Sequence, residues 1–216
     1  MESHRFHLRV DTTRFVTASW FLPEAPVAAL TLAHGAGTHL DHPLMRELAF
    51  ALASEKLATL RFNFLYTEEK RKRPDAAEQT YPVIHAAVDE VRKRVPHLPL
   101  FLAGKSFGGR MSSQWATARK SEHVRGLLFF GFPLHPKGKP GTTRAEHLQL
   151  ISKPMLFIQG EHDELATLDL LLPVVQPLPH AELMVIAGGN HSLQVKKKID
   201  YTWIGATVRH FIEKNQ

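Results

Sequence analysis

Apolar residues along the chain gather in short runs rich in Val, Leu, Ile and Phe, and most of these runs are separated by stretches with helical spacing. Continuous apolar runs suit strands buried on both faces, and helices between them supply the crossovers that a parallel sheet requires. The first two segments, Phe6–Val10 and Arg14–Ser19, alternate polar and apolar positions and predict an antiparallel pair. Buried strands are then predicted at Val27–Ala33, Ala58–Phe64, Leu100–Ala103, Val124–Phe130, Met155–Gln159 and Glu182–Ile186.

The intervening segments carry the other period. Tyr81, Ile84, Val88, Val91 and Val95 line one face of a predicted helix that stops before Pro96, because proline disfavours helical geometry in the residue preceding it. Phe107, Met111, Trp115 and Ala118 form a second stripe, and Ile204, Val208 and Phe211 a third. All three read as core packing. The pattern predicts an α/β fold: a mainly parallel sheet of about eight strands with helices on both faces. No repeat, long linker or low-complexity tract interrupts the chain, so residues 1–216 are expected to form a single domain.

Composition bounds the chemistry. A chain of 216 residues that is 44% hydrophobic and 22% charged can bury a large core without a disulfide or a metal. It contains no cysteine, which excludes disulfide scaffolds, thiolate zinc sites, iron–sulfur clusters and cysteine nucleophiles. Met1–Phe15 lacks the apolar stretch of a signal peptide. No apolar run approaches the roughly 18 residues of a membrane span. A soluble, cytoplasmic protein is the expectation.

Lys and Arg number 27 against 21 Asp and Glu, a net charge of +6, with 14 His besides. A basic balance raises nucleic-acid binding as a class, but binding needs the charge gathered on one face. Two runs stand out, Lys70–Arg73 and Lys196–Lys198. A solvated loop accounts for the first. The second is read as opening the last helix, where it opposes the helix dipole. No nucleic-acid partner is expected.

The most informative segment is Leu100–Gly109, an apolar strand running directly into Gly104-Lys105-Ser106-Phe107-Gly108 and then a helix. A serine on a tight strand-to-helix turn has strained backbone angles, and the chain packs so closely around it that glycines flank it two residues away. Such a turn presents the Ser106 hydroxyl at the carboxyl end of the sheet, with helix N–H groups facing the site. A serine nucleophile needs a base, and the base needs an acid to orient it. Both follow late strands. Gly160-Glu161-His162-Asp163-Glu164 offers Asp163, with Glu161 and Glu164 as rivals, and Asp163 also suits a helix N-cap. Gly188-Gly189-Asn190-His191 offers His191, whereas His135, His147 and His180 have no motif around them. Finally, His34-Gly35-Ala36-Gly37 follows an early strand. Its glycine-flanked backbone can bring the N–H of Ala36, or alternatively Gly37, beside that of Phe107 as an oxyanion hole.

These segments resemble the α/β-hydrolase superfamily over nearly the whole chain. More closely they resemble its dienelactone-hydrolase-like group, which includes the eukaryotic testis-expressed protein 30 and a related subunit of a histone-acetyltransferase complex. The closer likeness rests on His34–Gly37, Arg61-Phe62-Asn63-Phe64, Arg71-Lys72-Arg73-Pro74-Asp75, Gly104–Gly109, Phe132-Pro133-Leu134-His135-Pro136 and Gln159–Asp163. It implies the eight-stranded hydrolase fold with Ser106, Asp163 and His191 as a triad, and it makes the Lys70–Arg73 run part of a group motif. Two departures stand out. Dienelactone hydrolases proper use a cysteine nucleophile, and Leu65 replaces an expected proline.

The expected function is a serine hydrolase acting on a small ester or thioester through an acyl-enzyme, without metal or cofactor. The alternative is a catalytically silent binding or scaffold module on the same fold. The connection from Phe130 to Met155 is too short for a large cap domain, and its Lys137, Lys139 and Arg144 suggest an anionic substrate.

Overall fold

A computed structural model describes residues 3–119 and 122–216. Eight strands form one sheet: β1 (Ser3–Arg9), β2 (Phe15–Phe21), β3 (Ala28–Ala33), β4 (Leu57–Phe62), β5 (Leu100–Lys105), β6 (Val124–Phe130), β7 (Met155–Gly160) and β8 (Ala181–Ile186). Their order is β1-β2-β4-β3-β5-β6-β7-β8. Strand β2 runs antiparallel to both its neighbours, and every other pairing is parallel. This is the α/β-hydrolase architecture.

Alternation along the buried strands builds two cores. Ala29, Leu102, Leu127, Phe129 and Phe157 face one side, and Leu30, Leu32, Phe101, Leu128, Phe130 and Ile158 face the other. The first face is covered by α3 (Ala77–Arg94), α4 (Phe107–Arg119) and α5 (Leu168–Val175), the second by α1 (Pro43–Ser54) and α6 (Tyr201–Lys214). A short α2 (Leu65–Glu68) follows β4.

Three readings need correction or extension. The Lys196–Lys198 run precedes the last helix and does not open it: Val195 and Lys198 bridge a tight turn in which Lys196 and Lys197 have positive φ. Asp200 caps α6 by accepting from the Trp203 N–H, so no cationic run opposes that helix's dipole. Ala118 is exposed, whereas Phe107, Met111 and Trp115 of the expected α4 stripe are buried. The helix Pro43–Ser54 was not delineated from sequence, although Met45, Leu48, Ala49 and Leu52 give it a buried face. Residues 131–154 contain one 3-10 segment, Thr143–Leu150, and no cap domain. Among the described residues no helix is long and apolar enough to cross a membrane.

The sheet order reverses at β3, whose neighbours are β4 and β5. Crossovers from β3 and β5 therefore leave in opposite directions and open a crevice at the strands' carboxyl ends. Ala33 pairs with Gly104 there, which sets the turn after β3 beside the turn after β5.

Candidate active site

Ser106 occupies the turn between β5 and α4 with φ at +50°, a left-handed conformation that costs a non-glycine residue free energy. The neighbouring glycines have steric reasons. A Cβ on Gly104 would lie 2.3 Å from the Gly109 nitrogen, and one on Gly108 would lie 2.5 Å from the Ala33 carbonyl oxygen. The elbow is therefore clamped between its own helix and the end of β3, and the Ser106 N–H is bound to the Phe130 carbonyl at 3.2 Å.

Asp163 and His191 arrive from the loops after β7 and β8. Those loops are joined: the Glu161 N–H donates to the Ile186 carbonyl at 3.0 Å and the His162 N–H to the Gly189 carbonyl at 2.7 Å. Asn190 shapes the second loop by accepting from the N–H groups of Ser192 and Gln194. The result is a continuous chain of contacts. His191 Nδ1 lies 2.7 Å from an oxygen of Asp163, and its Nε2 lies 2.8 Å from the Ser106 hydroxyl. An ionised carboxylate only accepts, so Nδ1 carries the proton and Nε2 is left to receive the serine's.

Burial is the largest influence on His191 and lowers its pKa. The Asp163 hydrogen bond opposes the shift, and the nearby Lys105 charge reinforces it. His191 is thus held neutral and ready to accept a proton.

Asp163 is buried and accepts from three groups: His191, the Leu165 N–H at 2.8 Å, and the Gln159 side-chain amide. The helix N-cap expected of it falls instead on Thr167, before Leu168–Val175, and of the backbone Asp163 binds only the turn at Leu165. Glu161 and Glu164 are engaged elsewhere, the first with the Gly188 N–H and the second with Lys137. Gln159 was not singled out from sequence. Its other amide atom accepts from the Phe132 N–H at 2.8 Å, so one side chain braces Asp163 against the chain leaving β6.

The turn after β3 brings Ala36 to the same crevice as Ser106 and Phe107. Among the described residues, none of the Ala36, Gly37 and Phe107 N–H groups is used in a turn, loop or cap bond. His34 holds the turn from beneath. Its Nδ1 lies 2.8 Å from the Gly35 carbonyl and its Nε2 accepts from the Phe64 N–H at 3.2 Å. Burial lowers its pKa to about 4, so it stays neutral. Sequence reading treated His34 only as part of a glycine turn.

Of the three histidines without a motif, His147 packs against the Ser113 hydroxyl at 2.7 Å and His135 is buried. Neither of them, nor His180, hydrogen-bonds to Ser106 or Asp163. No cluster of three or more metal-ligating side chains occurs among the described residues.

A family model described as an alpha/beta hydrolase domain matches residues 26–213. The chain is similar in structure to a dienelactone hydrolase from Anabaena variabilis, at 20% identity, with 99% of this chain and 98% of that one covered and a TM-score of 0.82. It is also similar to an alpha-beta serine hydrolase homologue from Coxiella burnetii, at 21% identity, 100% and 98% coverage and a TM-score of 0.75. A third similar structure, from Xanthomonas campestris, is described as an a/b serine hydrolase without lid, at 21% identity, 99% and 95% coverage and a TM-score of 0.75.

Proposed function

The chain belongs to the alpha/beta hydrolase domain family, and on that premise we propose that it is a serine hydrolase cleaving a small ester or thioester through an acyl-enzyme. The observation that carries this reading is the relay from Asp163 through His191 to Ser106, with contacts of 2.7 and 2.8 Å ending on a serine held at positive φ. The reading takes residues 1–216 as one domain and places the chain in the dienelactone-hydrolase-like group on the motifs quoted for it.

The chemistry follows from the geometry. Ser106 Oγ attacks the carbonyl carbon as its proton passes to His191 Nε2, and Asp163 stabilises the imidazolium formed. Negative charge develops on the carbonyl oxygen, where the N–H groups of Ala36 and Phe107 receive it; losing one such donor typically costs about 3 kcal/mol of barrier. Collapse breaks the C–O or C–S bond, and His191 returns the proton to the departing alcohol or thiol. Water, deprotonated by His191, then cleaves the Ser106 ester, releasing the acid and regenerating the hydroxyl. No cofactor takes part in this scheme. Residues 131–154 form only loops and a 3-10 segment, so the site stays open to compact substrates.

A fluorophosphonate probe tests the reading directly. Expected is one covalent adduct, mapped to Ser106 and absent from Ser106→Ala. Folded protein that never labels would instead favour the silent binding module.

A further inference from the structure

The cavity beside Ser106, about 720 Å³, is lined by four arginines and a single carboxylate. Asp75 and Arg71 neutralise one another at 2.5 Å, Arg71 also meets Glu69 at 2.6 Å, and the second Asp75 oxygen accepts from the Tyr66 N–H. That leaves Arg73, Arg110 and Arg144. Among the described residues, none of the three has a carboxylate within 4 Å, and the buried Nε of Arg110 has no hydrogen-bond partner. Arg110 is half-buried, and a buried Nε–H without an acceptor is costly, the more so with a second cation beside it. Burial and the neighbouring Arg144 together lower the Arg110 pKa to about 10. Tyr81 opposes the shift, and His147, beside Arg110, is itself pulled down to about 4 and stays neutral.

The cluster is placed with respect to the nucleophile. Arg110 stands four residues after Ser106, with its N–H bonded to the Ser106 carbonyl at 3.1 Å, and both residues line the cavity. Arg144 comes from the 3-10 segment, which is fastened to α4 by the His147–Ser113 contact. Arg73 contributes from the loop after α2, which gives the Lys70–Arg73 run a use at the site. The cations expected from the connection after β6 are corrected accordingly. Lys137 is exposed and paired with Glu164, and neither it nor Lys139 lines the cavity, whereas Arg144 does.

We propose that this cavity is a subsite for an anionic group, a carboxylate or a phosphate, carried by the substrate about one helical turn from the bond to be cleaved and recognised by Arg110 and Arg144 with Arg73 at the rim. Planar guanidinium donors suit both oxyanions. The position relative to the scissile bond rests on the hydrolase reading; the binding of an anion does not.

The test separates the two. Glutarate and inorganic phosphate are titrated calorimetrically into Ser106→Ala, which removes turnover, and into Ser106→Ala carrying Arg110→Gln or Arg144→Gln, with circular dichroism checking that each variant is folded. Expected is saturable binding of at least one anion, weakened about 10- to 100-fold by Arg110→Gln. Glutarate alone would assign the site to carboxylates and phosphate alone to phosphoryl groups. In parallel, wild type is given p-nitrophenyl butyrate and the p-nitrophenyl monoester of glutarate, and the ratio of their kcat/KM values is expected to favour the anionic ester and to fall at least about 10-fold in Arg144→Gln. Binding of neither anion, or binding that both arginine variants leave intact, overturns the proposal. Anion binding without hydrolysis of either ester would sustain it while removing the hydrolase reading.

Discussion

Lys105 Nζ donates to the main-chain carbonyl of His191 across 2.6 Å, so the residue preceding Ser106 holds the backbone of the residue whose ring meets the Ser106 hydroxyl. The lysine is buried and desolvated, with its pKa drawn down to about 7. It thus fixes the His191 loop while its charge works against protonation of the imidazole.

Replacing this lysine is expected to move the activity profile in a defined direction. In Lys105→Met the His191 pKa rises, so the acid limb of kcat/KM shifts to higher pH and activity at pH 6 falls more than at pH 8. Stability changes with the opposite preference. The folded pKa of Lys105 lies below its unfolded value, so wild type gains stability as pH rises from about 7 to 10.5. Lys105→Met should lack that rise. A pH–rate profile that does not move, or moves to lower pH, contradicts the assignment.

Gln159 links Asp163 to the Phe132 N–H. Gln159→Leu leaves that buried N–H without its acceptor, for a loss of about 1–3 kcal/mol of stability. It also frees the Asp163 carboxylate to rotate. Urea unfolding should show the loss, and esterase assays should show a lower kcat with KM little changed; an unaltered kcat would mean that Asp163 needs no brace.

Gly104 and Gly108, two residues to either side of Ser106, should tolerate no side chain. Gly108→Ala drives a methyl group against the Ala33 carbonyl, and overpacking of this kind costs about 1–3 kcal/mol or more. Thermal melting is expected to fall by several degrees. Unchanged melting and turnover would show that the elbow is looser than its geometry.

His34 should make the fold acid-sensitive. Its folded pKa of about 4 lies below the unfolded 6.5, so the stability it contributes is complete above pH 6.5 and is lost as pH falls towards 4. The loss amounts to about 3 kcal/mol at most. Denaturant titrations at pH 7 and pH 4.5 should differ, and His34→Gln should narrow the difference. Equal narrowing by an exposed histidine variant such as His7→Gln would argue against a specific role.

Much of this was legible in the residues because it is local. Strand runs, the Gly104–Gly108 elbow and the two late turns each lie within one short segment, and the fold brings Ser106, Asp163 and His191 within hydrogen-bonding reach. The braces were not legible. Gln159 reaches Phe132 and His34 reaches Phe64 across about thirty residues, and Lys105 reaches His191 across 86, separations that no periodicity reveals. Lys196–Lys198 was misplaced because the triplet abuts α6, although Asp200 carries the signal for the true helix start. Arg110 was within reach, since it lies in the first turns of the helix that leaves the Ser106 elbow.

The central claim is that Ser106 becomes acylated during turnover. Wild type mixed with p-nitrophenyl acetate, quenched in acid within the first turnover and digested, should yield the Ser106 peptide heavier by one acetyl group, while Ser106→Ala shows no adduct and loses turnover by about a million-fold. Hydrolysis that persists in Ser106→Ala, or proceeds in wild type without acetyl on Ser106, would contradict the account.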